Sequence, residues 1–128
     1  NLWSWGKNDD GQLGDGTKTD KTSPVQITKE TKFTQVSAGN NHCLAIDNEG
    51  NLWSWGRNFR GQLGDGTTTN KLNPQKVMEG VKLKQIYVRH SSNLALDSNG
   101  NLWAWGYNDE GELGDGTTTE RHMPVQIN

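Results

Sequence analysis

The sequence repeats itself with a period of 50 residues. One segment, Asn-Leu-Trp-Ser/Ala-Trp-Gly, begins at residues 1, 51 and 101, and a second, Gly-Gln/Glu-Leu-Gly-Asp-Gly-Thr, begins at residues 11, 61 and 111. Every tryptophan and every proline lies on this period. A repeat of this length predicts a solenoid, a propeller or an array, in which each unit buries its apolar face only against its neighbours.

The tryptophans explain how such a polar chain can fold. A hydrophobic content of 30% and a mean hydropathy of −0.92 would otherwise favour disorder. Each tryptophan can bury about 200 Å², and a pair in every unit predicts a thin core that runs from unit to unit. The predicted repeat core consists of Trp3, Trp5, Trp53, Trp55, Trp103 and Trp105.

Within each unit the apolar residues alternate with the period of strands. We name four predicted strands per unit: A over 32–38 and 82–88, B over 42–46 and 93–96, C from residues 1, 51 and 101, and D after each proline, over 25–27, 75–77 and 125–127. Asp-Asn-Glu-Gly and Asp-Ser-Asn-Gly between B and C predict tight hairpins. Proline suits the entrance of an edge strand, which has no ladder bond to lose there.

The predicted fold class is therefore all-β, with β-propeller blades of four antiparallel strands and almost no helix. The order C-D, A-B-C-D, A-B-C-D predicts a partial propeller of two full blades plus a half blade. We expect a single repeat region over residues 1–128, with units 1–50, 51–100 and 101–128, and we expect it to be a section of a longer repeat protein.

The repeated residues also resemble a known family. The pattern Leu-Trp-x-Trp-Gly-x-Asn-x-x-Gly-Gln-Leu-Gly-x-Gly, followed by Pro-Val and then by Gln35 to Ile46, is similar to the repeat of the regulator of chromosome condensation family. The resemblance covers essentially the whole chain and implies blades of a seven-bladed propeller. The near-identical units look like those of bacterial members.

The resemblance implies a protein-interaction role. The founding eukaryotic member is a guanine-nucleotide exchange factor that docks on chromatin, a bacterial relative inhibits β-lactamase, and both bind proteins through propeller loops. A net charge of −2 argues against a nucleic-acid partner, and no residue motif here carries exchange activity. We predict a non-catalytic scaffold that binds a protein partner, the alternatives being a carbohydrate or cell-surface binding module and an exchange-factor-like regulator.

The sequence predicts no catalytic residue, no metal site and no cofactor. The glycine-rich run lacks the Gly-Lys-Ser/Thr of a phosphate loop. Asn8-Asp9-Asp10-Gly11 resembles part of a calcium loop, but the second copy, at residues 58–61, has no carboxylate. The three histidines, which we expect to be surface or hydrogen-bonded core residues, occupy different repeat positions: His42, His90 and His122.

Positions at which the repeats differ indicate where a partner could bind, since shared residues build the scaffold. Arginines and aromatics, the residue types enriched at interface hot spots, occur at several of these positions. Because the A-B and C-D loops of an up-and-down blade emerge together, we expect these residues on one loop face. The predicted partner-binding residues are Arg57, Phe59, Arg60, Tyr87, Arg89, His90 and Tyr107.

Location and assembly are less constrained. No apolar run approaches the length of about 20 residues that crosses a membrane, so we expect a soluble chain without membrane insertion. The sequence does not determine the compartment, and a secreted or cell-surface bacterial protein is one interpretation. The single Cys43 forms no internal disulfide. Open blade edges predict self-association.

Overall fold

The computed structural model describes all 128 residues, and every regular element in it is a strand. The ten strands are β1 (Leu2–Gly6), β2 (Lys21–Ile27), β3 (Phe33–Ala38), β4 (His42–Asp47), β5 (Leu52–Gly56), β6 (Lys71–Val77), β7 (Leu83–Arg89), β8 (Ser92–Asp97), β9 (Leu102–Gly106) and β10 (Arg121–Ile127). No helix is long and apolar enough to cross a membrane.

The strands form three antiparallel sheets, which we call blades 1 to 3. Blade 1 pairs β1 with β2, blade 2 has the order β3-β4-β5-β6, and blade 3 has the order β7-β8-β9-β10. Each strand therefore neighbours the one before it in sequence, as in an up-and-down propeller blade. The predicted fold class, two full blades and a half blade, is confirmed.

An aspartate organises the hairpin between strands B and C. The carboxylate of Asp47 accepts hydrogen bonds from the backbone N–H groups of Glu49 and Asn51 and from the indole of Trp53. Gly50, with φ of 85°, completes the turn. Asp97 makes the same bonds in blade 3, so the predicted tight hairpins are confirmed.

A buried asparagine organises the long loop between strands C and D. The amide of Asn58 donates to Asp65 Oδ1 at 3.1 Å and to the Thr67 carbonyl at 2.9 Å, and its Oδ1 accepts from Leu63 N. Asp65 in turn accepts from Thr67 N at 2.9 Å. The same bonds recur in the other two blades. The glycine-rich run is a set of turns that holds this loop.

Strand D begins earlier than the sequence predicted. β2 starts at Lys21, three residues before Pro24, instead of after the proline. Its pairing with β1 shifts between Ser4↔Val25 and Gly6↔Lys21. The proline therefore lies at an irregularity within the edge strand, where its missing N–H breaks no ladder bond.

The apolar core lies between the blades, in two clusters. Ile27 of blade 1 packs with Ala45 and Trp55 of blade 2, while Leu44 and other residues of blade 2 pack with Trp105 and its neighbours in blade 3. We call these two contacts joint 1–2 and joint 2–3. Each blade thus contributes one side to a shared core, as the repeat length implied.

The six tryptophans differ in burial. Trp55 and Trp105 are buried, and Trp53 and Trp103 are half-buried, each in a joint. Trp3 and Trp5, in blade 1, are 49% and 60% exposed, and for these two rings the core role stays a prediction. Both rings line a cavity of about 420 Å³ together with Val36, His42 and Trp55 of blade 2.

Candidate interaction face and the joints between blades

The A-B turns and the C-D loops lie together, and we call the surface they form the loop face. Arg57 N, at the start of one C-D loop, donates to the Asn41 carbonyl of the neighbouring A-B turn at 2.8 Å. Tyr107 N donates to the Ser91 carbonyl in the same way at 3.0 Å. Both turns are therefore fixed beside the long loops that follow strand C.

Six of the seven predicted partner-binding residues lie on or at the edge of this face. Arg57, Phe59 and Arg60 belong to the C-D loop of blade 2, and Tyr107 begins the same loop in blade 3. The other two, at the A-B turn of blade 3, are Arg89 and His90. Tyr87 is the exception, because it lies within β7 and not in a loop.

The two loop arginines are held by contacts that cross the joints. The Arg57 guanidinium lies 4.7 Å from the centroid of the Phe59 ring and 3.7 Å from the carboxylate of Asp10 in blade 1. The Arg60 guanidinium lies over the ring of Tyr107 in blade 3, at 5.2 Å. Cation–π stacking and ion pairing thus connect consecutive blades along the loop face.

Sequence reasoning missed this second role of the loop arginines. Arg60 also lies 3.6 Å from Glu120, so in each joint the tenth residue of one unit contacts a residue of the next unit. A comparison of repeat position 10 in one unit with repeat position 7 in the next unit would have found the opposite charges of Asp10 and Arg57. The side chains of Phe59 and Arg89 remain exposed.

A groove of about 750 Å³ lies on the side of blade 3 that faces away from blade 2. Four of the predicted residues line it, namely Tyr87, Arg89, His90 and Tyr107, together with Glu110, Glu112 and Leu113. Tyr87 is 56% exposed there. A hydrogen bond with Asp109 raises the pKa of the Tyr107 phenol. The groove combines aromatic surface with charges of both signs.

Both joints use the same indole hydrogen bond. Trp55 Nε1 donates to the Gln12 carbonyl of the preceding blade at 2.9 Å, and Trp105 Nε1 donates to the Gln62 carbonyl at 3.1 Å. A glycine two residues later lets the ring approach: a Cβ on Gly64 would lie 2.9 Å from the Trp105 indole. This explains why Trp and the Gly-Gln-Leu-Gly run repeat together.

Joint 2–3 adds a buried polar pair. Asn93 Nδ2 donates to the Gln62 carbonyl at 2.7 Å, so Asn93 Oδ1 points to His42 Nε2, 2.8 Å away. His42 is therefore the tautomer with a proton on Nε2, while its buried Nδ1 has no partner. Burial lowers the pKa of His42. This histidine is a hydrogen-bonded core residue.

The other two histidines and the cysteine differ from His42 in their exposure and contacts. His90 is exposed, and His122 Nε2 lies 3.1 Å from Glu120 Oε1. Burial raises the pKa of the Cys43 thiol to about 12, so Cys43 is a thiol at neutral pH. No three histidine, cysteine, aspartate or glutamate side chains converge in an arrangement that could hold a metal ion.

Comparison with known proteins agrees with this geometry. The model of the "Regulator of chromosome condensation (RCC1) repeat" matches residues 1–46, 49–96 and 99–128, and a second model of the same description matches residues 33–62. The chain belongs to the RCC1 repeat family. The matched segments follow the repeat units, so the RCC1 repeat accounts for all three blades.

Relatives and solved structures support the assignment. The chain is 40% identical over 52 residues to "Protein RCC2 homolog" of Xenopus laevis, a match that covers 39% of this chain and 10% of that protein. The crystal structure of human WBSCR16 has 26% identity and a TM-score of 0.85, with 98% of this chain and 34% of that chain covered.

A second solved structure has the same fold. It is Prp20p from Saccharomyces cerevisiae, described with its binding properties to Gsp1p and histones, at 24% identity and a TM-score of 0.86. That match covers 99% of this chain and 34% of Prp20p. The RCC1 repeats described here therefore span about a third of the length of these structural neighbours.

Proposed function

We propose that this RCC1-repeat chain is a non-catalytic protein-interaction unit whose loop face binds a protein partner. The observation that carries the proposal is the pair of stacked arginine–aromatic contacts, Arg57 on Phe59 and Arg60 on Tyr107, on a face where Arg89 is also exposed. Arginine and aromatic residues dominate the binding energy of protein interfaces.

Rigidity favours binding at this face. The stacking and ion-pair contacts hold Arg57 and Arg60 in place before a partner arrives, which lowers the side-chain entropy lost on association. The loops beneath are fixed by the buried asparagines, Asn58 and its two counterparts. A partner with an apolar side chain over Phe59 and a carboxylate near Arg89 would complement the surface.

The solved structures support this function only at the level of the fold. Prp20p is a propeller described as binding Gsp1p and histones, which shows that this architecture can present a surface to proteins. At 24% identity that likeness carries no residue roles to this chain. The identity of the partner here is therefore argued from the chemistry of the loop face alone.

The alternatives lack a comparable site. A carbohydrate module needs exposed aromatic platforms, whereas four of the six tryptophans pack in the joints, which leaves only the rings of Trp3 and Trp5 exposed in this structure. Exchange-factor-like activity has no residue-level counterpart on this surface. An enzyme needs a nucleophile, a base and an orienting group that converge, and the loop face presents arginines and aromatics instead.

Site-specific photocrosslinking tests the proposal. A photoreactive amino acid placed at residue 59 or 89 should capture the same protein from the native host, and the same probe at exposed Glu79, away from the loop face, should not. The Arg89→Ala variant should then reduce capture from residue 59 several-fold. Equal capture from residues 59 and 79, or capture unaffected by Arg89→Ala, would contradict the loop-face assignment.

A further inference from the structure

A small cavity lies at the end of the strands opposite to the loop face. It has a volume of about 310 Å³ and is formed by the hairpin and strands of blade 2 together with the connection that leads into this blade. Sites for small molecules have volumes of about 300–1,000 Å³, so the cavity is large enough for a small ligand. Its charged lining and its one aromatic ring are supplied by Glu30, Lys32, Asp47, Glu49, Lys76 and Trp53.

The indole of Trp53 is a fixed wall of this cavity. Its Nε1–H donates to Asp47 Oδ2 at 2.9 Å, and the Phe33 ring meets it edge-on, with the two ring centroids 5.7 Å apart. The Lys76 ammonium lies 5.6 Å from the centroid of the Trp53 ring. Cation–π attraction therefore holds the charge of Lys76 beside the indole.

Four charged side chains of the cavity have no partner of opposite charge. They are the carboxylates of Glu30 and Glu49 and the ammonium groups of Lys32 and Lys76. None of the four takes part in an ion pair of this chain. The carboxylate of Asp47 differs, because the N–H groups of its hairpin already occupy it. The cavity thus presents two cations and two anions to a ligand.

Three of the four charges are peculiar to this cavity. The equivalent positions in blade 3 and its connection have neutral residues, since Gly80, Asn99 and Gln126 replace Glu30, Glu49 and Lys76, respectively. The residues that build the repeat are shared between units. Charges that occur in one unit only, around one cavity, therefore indicate a binding role there.

The cavity is a feature of a joint between blades. Blade 2 has a neighbouring blade on each side. Trp103, the counterpart of Trp53 in blade 3, packs against the complete four-stranded blade 2 and is still half-buried. A complete blade in front of this ring thus leaves it accessible.

We propose that this cavity binds a small zwitterion, a molecule with one ammonium and one carboxylate group. The carboxylate of the ligand accepts hydrogen bonds from Lys76 and Lys32, and its ammonium donates to Glu30 and Glu49. The carbon chain of the ligand lies against the Trp53 ring. A ligand with a single charge would leave one pair of like charges in the cavity without a partner. The site is remote from the loop face and does not rest on the proposed partner site.

Titration of the isotope-labelled 128-residue chain with γ-aminobutyrate tests the proposal. The indole N–H resonances of Trp53 and Trp103 in proton–nitrogen correlation spectra report on the two equivalent positions. γ-Aminobutyrate should shift the Trp53 resonance in a saturable way and leave that of Trp103 unchanged. Butylammonium and butyrate have the same chain length and one charge each. Each should bind about tenfold more weakly, because it loses one of the two charge pairs.

Substitutions that place the residues of blade 3 in the cavity are the second arm. Lys76→Gln and Glu49→Asn each remove one charge and should weaken the binding of γ-aminobutyrate about tenfold. The matched changes Lys18→Gln and Glu79→Gln, at exposed residues outside the cavity, should leave the affinity unchanged. The proposal would be overturned by the lack of a saturable Trp53 shift, by equal binding of the three compounds, by an equal shift of Trp103, or by cavity variants without effect.

Discussion

His42 Nε2 lies 2.8 Å from Asn93 Oδ1, and this hydrogen bond crosses the joint between blades 2 and 3. The two residues occupy adjacent repeat positions, 42 and 43, in consecutive units. At these positions the other units have Ser92 and Cys43. The repeat thus supplies its own replacements for testing what the pair contributes to the joint.

A double-mutant cycle with these replacements should show coupling. His42→Ser or Asn93→Cys alone removes the buried hydrogen bond and leaves its partner unpaired, at a cost of about 1–3 kcal/mol in the free energy of unfolding. The double variant should cost less than the sum by about 1 kcal/mol. Urea denaturation measures each value, and strictly additive costs would contradict the coupling.

Acidification from pH 7 to pH 5 should destabilise the fold through His42. Burial lowers the pKa of His42 in the folded state. In the unfolded chain the same histidine has a pKa of about 6.5, so below that pH the unfolded state binds more protons than the folded state. The free energy of unfolding therefore decreases as the pH falls. The His42→Ser variant should show a smaller loss over this range. The matched control is His90→Asn. His90 is exposed, and the equivalent residue of the preceding unit is Asn40, so this variant should keep the wild-type dependence of stability on pH.

Alanine at two equivalent glycines should separate backbone strain from packing. Gly64 and Gly114 have φ of 75° and 74°, so alanine costs both about 1 kcal/mol of strain. Only at Gly64 would the new Cβ meet the Trp105 ring, 2.9 Å away, which should add about 1–3 kcal/mol. Thermal unfolding at dilute concentration measures both variants. Equal costs would mean that the indole does not pack as described.

The hairpin carboxylate should make the fold sensitive to strong acid. Burial alone would raise the pKa of Asp47, but hydrogen bonds from Trp53, Asn51 and Glu49 hold it at about 2. The stabilisation is complete above the unfolded pKa of about 3.9 and is lost as the pH falls towards 2.

The Asp47→Asn variant should test that carboxylate directly. It should unfold about 2 kcal/mol more easily at pH 7, because charge-assisted bonds are lost, and its stability should vary less between pH 5 and pH 2. Glu49→Gln changes an exposed carboxylate of the same hairpin and should behave as wild type. Denaturant titrations at pH 7, 5, 3 and 2 provide the measurement.

The loop face shows how far sequence reasoning could go towards the candidate site. The differences between repeats identified Arg57, Phe59 and Arg60, and the up-and-down order of strands placed them on one face with Arg89. The contacts of these arginines could not be predicted, because Asp10 and Tyr107 lie about 50 residues away in sequence and meet them only across a joint.

The sequence by itself determined the all-β class, the order of the strands and the content of each blade. Turn glycines, the aspartate of each hairpin and the alternation of apolar residues act within a few residues, so their effect can be predicted locally. Only the tertiary structure decided which tryptophans are covered, where Pro24 lies in its strand and how His42 is bonded. Those features depend on the neighbouring blade, since a joint forms only when residues one whole repeat apart are brought into contact.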